Sequence, residues 1–410
     1  MVDTPGLPAR RAALRMMDAV LHRGETLEQA ERAALRSING PADRALARAI
    51  AAEVMRWLVD LDAMIDSATR NRLSDDAKAR SVIRLMLVQW LRFDTPPHAV
   101  IATALPLLTG GPRRLAHGVF STLNKREVKL PDGPTPSDAV MVRWGEKAAA
   151  IVAALADPPP LDIALKDHAE TEKWAAELGG QSLAPGHIRL PRGTPIDELP
   201  GFEDGAWWVQ DLAATLPARL LGAGEGKRVL DLCAAPGGKT LQLAAAGWQV
   251  TALDISERRL ELLRNNLERT GLAAEIITAD ALTWQPAKQF DAILLDAPCT
   301  ATGTCRRHPD VLRRIGPRQI SEMAELQAAL LARAASWLPE GGSLVYAVCS
   351  LEEEEGLGQT GAVALTQVPI TAAELPAGLL PDAEGWLNTD PTMLPDVGGM
   401  DGFFIGRWTK

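Results

Sequence analysis

The sequence predicts a multidomain protein: an all-α bundle, a small α+β subdomain, and a C-terminal α/β domain built on a doubly wound parallel sheet. Three observations carry this. The 410 residues exceed the roughly 100 to 200 of one domain. Apolar residues recur at helical spacing from Pro8 to Arg126, and after Trp207 short apolar runs alternate with helical stripes, the pattern of a parallel sheet with helices on both faces. A composition 47% hydrophobic and 23% charged excludes a disordered or fibrous chain. Four cysteines without a CxxC pair argue against a disulfide framework and a structural zinc site, so no metal is expected. No apolar run reaches 18 residues, and the start MVDTPGLPARRAALRMMDAV lacks a signal-peptide core; a cytoplasmic monomer with no membrane partner is expected.

Charge divides the chain unevenly. Residues 1–133 hold 20 Lys+Arg against 15 Asp+Glu, a net of +5, and residues 134–410 hold 23 against 37, a net of −14. A mildly basic helical part beside an acidic one suits RNA binding through local patches, and equally suits plain uneven surface charge.

In the opening segment Leu14, Met17 and Leu21 paint one helical stripe. Asp43 to Leu61 and Asp76 to Phe93 repeat it, and Pro96-Pro97 separates the latter from a helix through Leu107. KLPDGPTPSD (residues 129–138), with three prolines and a glycine, reads as a connection. The expected division is a helical domain at 1–130, a linker at 131–138, a subdomain at 139–205 and an α/β domain at 206–410. Within the subdomain the sequence suggests a helical piece through Ala156, a strand Leu161 to Lys166 and a helix Glu170 to Leu178. Strands follow at Arg228 to Ala235, Gln249 to Ile255, Glu275 to Asp280, Phe290 to Pro298 and Ser343 to Ser350. Ser256 stands at an N-cap with Gly271 as the C-terminal stop, and Met323, Leu326, Leu330, Ala334 and Trp337 form a helical stripe. GFFIGRW (Gly402 to Trp408) is expected as one edge strand.

Ligands of open α/β sheets bind at the carboxyl ends of the strands near the switch point. The first strand ends in DLCAAPGGKT, where Gly237 and Gly238 let backbone approach a ligand and the next helix offers free N–H groups. The second ends in Asp254, placed to accept ribose hydroxyls, and the third in Asp280, placed to accept from an adenine amine or to fix a loop. A nucleoside-bearing cofactor fits. The turn lacks GxGxxG, which weakens NAD, and Cys233 stands where a P-loop needs its first glycine. The fourth strand runs into DAPCTATGTCRRHPD and the fifth into YAVCS. With the chain doubling back after the third strand, Cys299 and Cys349 flank one pocket; Cys233 and Cys305 read as small apolar residues.

DLCAAPGGKT, DAPCTATGTCRRHPD and VYAVCSLEEEE resemble the signature motifs of the Sun-type RNA cytosine-5 methyltransferases, as do the GFEDGAWWVQD and GMDGFF runs. The order of parts is similar to the bacterial RsmB-like enzymes of 16S ribosomal RNA, with a NusB-like RNA-binding domain followed by a Rossmann-like methyltransferase domain. The resemblance implies S-adenosylmethionine as cofactor, its methionine end on Cys233, Ala234, Ala235, Pro236, Gly237, Gly238 and Lys239, its ribose on Asp254 and its adenine on Asp280. It implies Cys349 as the thiolate that adds to C6 of cytosine, Cys299 as the residue that assists product release, and Asp296 at the cytosine edge and near the methionine part. C5 is a poor nucleophile until a thiolate adds at C6, so such chemistry requires a cysteine. Lys239 lowers the thiolate's cost electrostatically.

RNA contacts are expected from Arg306, Arg307, His308, Arg313 and Arg314 and from basic helices of the N-terminal part, with 16S ribosomal RNA as the partner and the target base turned out of a loop or bulge. Trp207 and Trp208 are expected in the core. Val348 and Thr300 stand where the family more often shows TCS and PCS, and LDIALK (161–166) replaces the usual Arg and Asn of an RNA-facing strand. The acidic run Glu352 to Glu355 reads as a solvated turn. Rival readings are C5 methylation of another RNA such as tRNA, a small-molecule or DNA methyltransferase, and a non-catalytic RNA-binding or transcription-factor module.

Overall fold

The computed structural model describes residues 5–410 and divides into two compact units. One runs to Asp157 and takes in Cys305–Ile315; the other comprises Pro158–Thr304 and Gly316–Lys410.

The first unit is helical: α1 (Leu7–Arg23), α2 (Leu27–Ala34), α3 (Pro41–Arg56), α4 (Leu58–Ser67), α5 (Lys78–Arg92), α6 (Pro97–Ala104), α7 (Gly110–Lys125), α8 (Asp138–Trp144) and α9 (Ala148–Ala153). Helix α5 is its axis, with every residue from Ala79 to Gln89 buried. Its two buried arginines are matched by α4: Arg84 forks onto both oxygens of Asp62 at 2.7 and 2.8 Å, and Arg80 bonds Asp66 at 2.7 Å. The stretch expected as one helix from Asp43 to Leu61 is two, because the backbone leaves helical geometry at Trp57 (φ −99°, ψ 16°).

The proline-rich connection does not end this unit. Pro134 is buried, and Thr135 gives both its N–H (3.0 Å) and its hydroxyl (2.6 Å) to Asp60. A Cβ on Gly133 would stand 2.7 Å from Ala153, so the glycine permits α9 to close over the connection. The unit boundary therefore falls at Asp157 rather than within 131–138, and residues 139–157 fold with the helices.

In the second unit β1 (Leu161–Leu165), α10 (Thr171–Leu178), β2 (Gln181–Ala184), β3 (His187–Leu190) and β4 (Trp207–Val209) form an antiparallel sheet in the order β2-β3-β1-β4. Trp207 and Trp208 are buried in the core, as expected. Asp162 of β1 accepts a bidentate pair from Arg189 of β3 at 2.7 Å each. Burial opposes its ionisation, but Arg189 and His187 hold the carboxyl well below the usual range. Arg189 also donates to the carbonyls of Val397 and Gly399, at 2.9 and 2.6 Å, which ties this small sheet to the C-terminal segment.

The large sheet follows with α11 (Leu212–Arg219), β5 (Arg228–Leu232), α12 (Gly238–Ala245), β6 (Gln249–Asp254), α13 (Glu257–Thr270), β7 (Glu275–Thr278), β8 (Ala292–Asp296), the short α14 (Val311–Arg314, part of the helical unit), α15 (Pro317–Trp337), β9 (Ser343–Val348), β10 (Thr366–Gln367), β11 (Leu387–Thr389) and β12 (Phe403–Thr409). Its order is β7-β6-β5-β8-β9-β12-β10, with β11 also on β12. The first five are parallel and β12 runs antiparallel to β9. The switch point between β5 and β8 is where the chain order predicts it. Strand β12 is not an edge: β9 flanks one side and β10 and β11 the other. Its run FFIGRWT is buried on both faces, which is why it reads as a continuous apolar stretch rather than an alternating one.

Candidate active site

The turn after β5 is built for backbone to approach a ligand. Cys233 (φ 60°) and Gly237 (φ 110°) take left-handed conformations, and a Cβ on Gly237 would meet Leu263 Cδ1 at 2.3 Å. Asp254, buried at the end of β6, accepts the N–H of Ala235 at 3.1 Å and that of Ser256 at 2.8 Å. Arg259 of α13 donates to the Ala235 carbonyl. Asp254 thus first shapes the loop, whatever else it binds. Ser256 caps α13 through the Arg259 N–H (3.3 Å) and Gly271 ends it at φ 62°.

A cavity of about 120 Å³ opens beside this turn, lined by Cys233, Asp254, Asp280, Pro298, Leu326 and the exposed apolar side chains Ile255 and Leu282. Asp280 Oδ1 accepts the Leu282 N–H at 2.9 Å, which holds Leu282 at the rim. Sequence reasoning missed Ile255 and Leu282; the signal was a large apolar residue just past an acidic strand end, where a strand-to-helix turn normally carries polar side chains.

Asp231, one residue before the end of β5, was also missed. It is fully buried, receives the Thr240 hydroxyl on Oδ2 at 2.5 Å, and leaves Oδ1 without a hydrogen bond. Burial pushes its carboxyl up to about 7 against the Thr240 hydrogen bond, with Asp296 adding to the rise. An orphaned buried carboxylate oxygen, a row of carboxylates at the ends of β5, β6 and β8, and a turn a Cβ would fill together fit a nucleoside that carries a cationic group.

The ends of β8 and β9 form the other half. Lys239 of α12 donates to Asp296 Oδ2 at 2.7 Å and lies 5.4 Å from the centroid of Phe403. Cys299 Sγ and Cys349 Sγ are 3.4 Å apart, both half-buried. Cys349, burial and Glu355 together push the Cys299 thiol well above its ordinary value. The Cys299 and Cys349 loops are sewn together: Ser350 Oγ lies 3.3 Å from Thr300 Oγ1 and 3.2 Å from Thr302 Oγ1, and Gly303 donates to the Cys349 carbonyl at 3.0 Å. Gly402 of the GMDGFF run donates to the Gly303 carbonyl at 2.9 Å. A Cβ on Gly303 would stand 1.9 Å from the Gly402 oxygen, so only glycine allows this approach.

The acidic run after Cys349 is a correction to the solvated-turn expectation: Glu352 and Glu355 are buried. Glu355 accepts the Thr300 N–H (2.9 Å to Oε2, 3.3 Å to Oε1) and Gln327 Nε2 (3.2 Å). Four like residues in a row hid which of them turn inward. Cys233 is half-buried and its thiol is pushed up by burial, and Cys305 is buried in the helical unit.

The basic cluster separates. Arg306 is buried, and its carbonyl accepts Arg56 Nη2 at 2.9 Å. Arg313 donates twice to the Met55 carbonyl, at 3.2 and 3.0 Å, and burial lowers its guanidinium to about 10. Arg314 pairs with Asp310 at 3.0 Å. The Arg306 carbonyl and the Arg313 side chain thus tie Cys305–Ile315 into the helical unit, while His308 is exposed and Arg307 half-exposed. No group of three or more His, Cys, Asp and Glu among the described residues is placed to hold a metal, and no helix among them is long and apolar enough to cross a membrane.

A doubly wound sheet with a cavity at its carboxyl strand ends and a lysine–carboxylate pair at the switch point is a Rossmann-like architecture, and its likeness to known proteins makes it a Rossmann-like methyltransferase. A family model described as 16S rRNA methyltransferase RsmB/F matches residues 218–409, and a NusB family model matches residues 7–109. Ribosomal RNA small subunit methyltransferase B of Klebsiella pneumoniae is 34% identical over 98% of each chain, and that of Escherichia coli 33% over 98% of each. The crystal structure of a methyltransferase homolog from Pyrococcus horikoshii superposes with TM-score 0.56 at 27% identity, covering 67% of this chain and 93% of its own. The chain belongs to the RsmB/F family of RNA methyltransferases.

Proposed function

We propose that this protein transfers a methyl group from S-adenosylmethionine to C5 of a cytosine in 16S ribosomal RNA through a covalent adduct of Cys349 at C6. The observation that carries the reading is the pair of sulfurs 3.4 Å apart at the ends of adjacent strands, beside the Lys239–Asp296 pair. When bound, S-adenosylmethionine supplies an electrophilic methyl group. The turn Cys233–Lys239 would cradle its methionine end, Asp231 would face its cationic groups, Asp254 would take the ribose, and Ile255 and Leu282 would sandwich the adenine, with Asp280 at its edge.

On the substrate side, the Cys349 thiolate adds to C6 and makes C5 nucleophilic. Asp296, fixed by Lys239, would accept from the N4 amine at the cytosine edge, and the Lys239 ammonium would offset the negative charge that the addition places on the ring. After methylation the C5 proton passes to a water molecule acting as base, the C5–H electron pair restores the C5–C6 double bond, the C6–S bond breaks, and its electron pair returns to Cys349. Cys299 stands against that sulfur and assists the departure. The base must leave its stack to reach the thiolates, which favours a loop or bulge in RNA. Arg307, His308 and basic helices of the N-terminal unit are the proposed phosphate contacts, and a ribosomal substrate places the enzyme in the cytoplasm.

Trapping on 5-fluorocytidine RNA followed by peptide mass spectrometry tests the assignment. Attachment through Cys349 is expected; attachment through Cys299 instead would refute it. Bisulfite sequencing of ribosomal RNA from a deletion strain tests the substrate, since one protected cytosine should become convertible; if none does, a different RNA such as tRNA is the substrate.

A further inference from the structure

Cys299 is gripped on both sides by one pair of side chains. Gln327 of α15 donates to the Pro298 carbonyl at 2.8 Å, and Glu355 accepts the Thr300 N–H at 2.9 Å. The same Gln327 amide bonds Glu355 at 3.2 Å, so the two form one clamp around the cysteine. Glu355 is itself fixed from β9, where Tyr346 donates its hydroxyl to the Glu355 carbonyl at 2.6 Å. Its carboxylate is fully buried, and among the described residues no lysine or arginine is bonded to it. Burial raises this carboxyl above its usual range, and the Thr300 hydroxyl and N–H, the Gln327 amide and the Ser350 hydroxyl, all neutral donors, oppose that rise and suit the ionised form. A structural clamp alone would need only a neutral acceptor at this position.

We infer that Glu355 is the positioning residue that decides which of the two sulfurs keeps the proton: it holds the Cys299 thiol against Cys349 and places a negative charge on the Cys299 side, so that Cys349 is the sulfur that ionises. The inference rests on the proposed covalent role of Cys349 and adds a cause for it. Cys299 is faced by Cys349 just past β9, by Tyr346 of β9 and by Glu355 from the following loop, and the nearby α12 and β8 end carry the Lys239–Asp296 pair. Cys349 and burial raise the Cys299 thiol along with Glu355, whereas Lys239 is matched by its own carboxylate. Glu355 is thus the charge near the pair that is not neutralised by a partner, and it disfavours a thiolate at Cys299.

The test is Glu355→Gln, whose amide oxygen can still accept the Thr300 N–H while the charge is gone. The pH midpoints of iodoacetamide alkylation at Cys299 and Cys349 are read by peptide mass spectrometry on the full chain without RNA. In Glu355→Gln the Cys299 midpoint should fall by about one to three pH units, with the preference for Cys349 reduced. An unchanged Cys299 midpoint in the folded variant overturns the inference. Should that variant not fold, Cys349→Ser serves: Cys299 should still titrate above an ordinary thiol, and a midpoint at or below the ordinary value overturns it. Because alkylation needs neither RNA nor turnover, a shifted Cys299 midpoint with no 5-fluorocytidine adduct on Cys349 would sink the covalent mechanism alone.

Discussion

The two halves of the active site are held by different means. On the β5–β6–β7 side a turn of seven residues is set by its own backbone, with two left-handed residues and a carboxylate one strand away closing the loop. On the β8–β9 side the two cysteines are set by side chains from elsewhere: hydroxyls of Thr300, Thr302 and Ser350, the amide of Gln327, the carboxylate of Glu355, and the backbone of Gly402. A cofactor of fixed shape can be met by a rigid local motif. The flipped base and the bonding sulfur of the proposed mechanism would require a site whose protonation and spacing are tuned from several directions, and that tuning is long-range.

Substitutions can separate the halves. The largest effect is expected of Cys349→Ala, which removes the proposed nucleophile: methyl transfer should fall about 10⁴-fold or more, with RNA binding retained, as read by tritiated methyl incorporation and filter binding. If methylation survives, the covalent role is wrong. Next comes Gly303→Ala, whose Cβ collides with the Gly402 oxygen; misplacing the sulfur pair should cost about 10²-fold in turnover while calorimetric affinity for the cofactor stays within twofold. Equal damage to both would mean that the halves are coupled.

Gly237→Ala is the mirror experiment. The added Cβ meets Leu263 and the backbone must hold φ 110°, so cofactor affinity should drop by about tenfold, leaving the spacing of the sulfurs intact, as measured by trapping on 5-fluorocytidine RNA at saturating cofactor. The smallest effect concerns Asp231. Its folded pKa of about 7 lies above the unfolded value, so the protonated carboxyl stabilises the fold at low pH, and that stability is lost as pH rises from about 4 toward 7. Asp231→Asn should flatten this part of the melting-temperature profile of the cofactor-free protein; an unchanged slope would mean that Asp231 stays ionised.

The same division explains what could be read in advance. DLCAAPGGKT, Asp254, Ser256 and Gly271 announce a strand, a tight turn and a capped helix because turns and caps are fixed by residues within a few positions of one another. Glu355 looked like one of four solvated acids because its partners, Thr300 and Gln327, lie 55 and 28 residues away. Arg306 and Arg313 looked like phosphate ligands, yet Arg306 is buried and Arg313 donates to the Met55 carbonyl of the helical unit. The proline-rich connection looked like a boundary, but Asp60 takes both polar groups of Thr135 and the unit extends to Asp157.

By itself, then, the sequence determined the order of the five parallel strands, the tight turn after the first of them and the two cysteines at neighbouring strand ends, since periodicity, turn chemistry and chain order are local quantities. Only the tertiary structure decided that β12 is interior, that Glu355 is buried against the Cys299 loop, and that Asp231 keeps an unpaired oxygen. Burial and electrostatic environment are properties of what packs around a residue, and most of what packs around these three comes from distant parts of the chain.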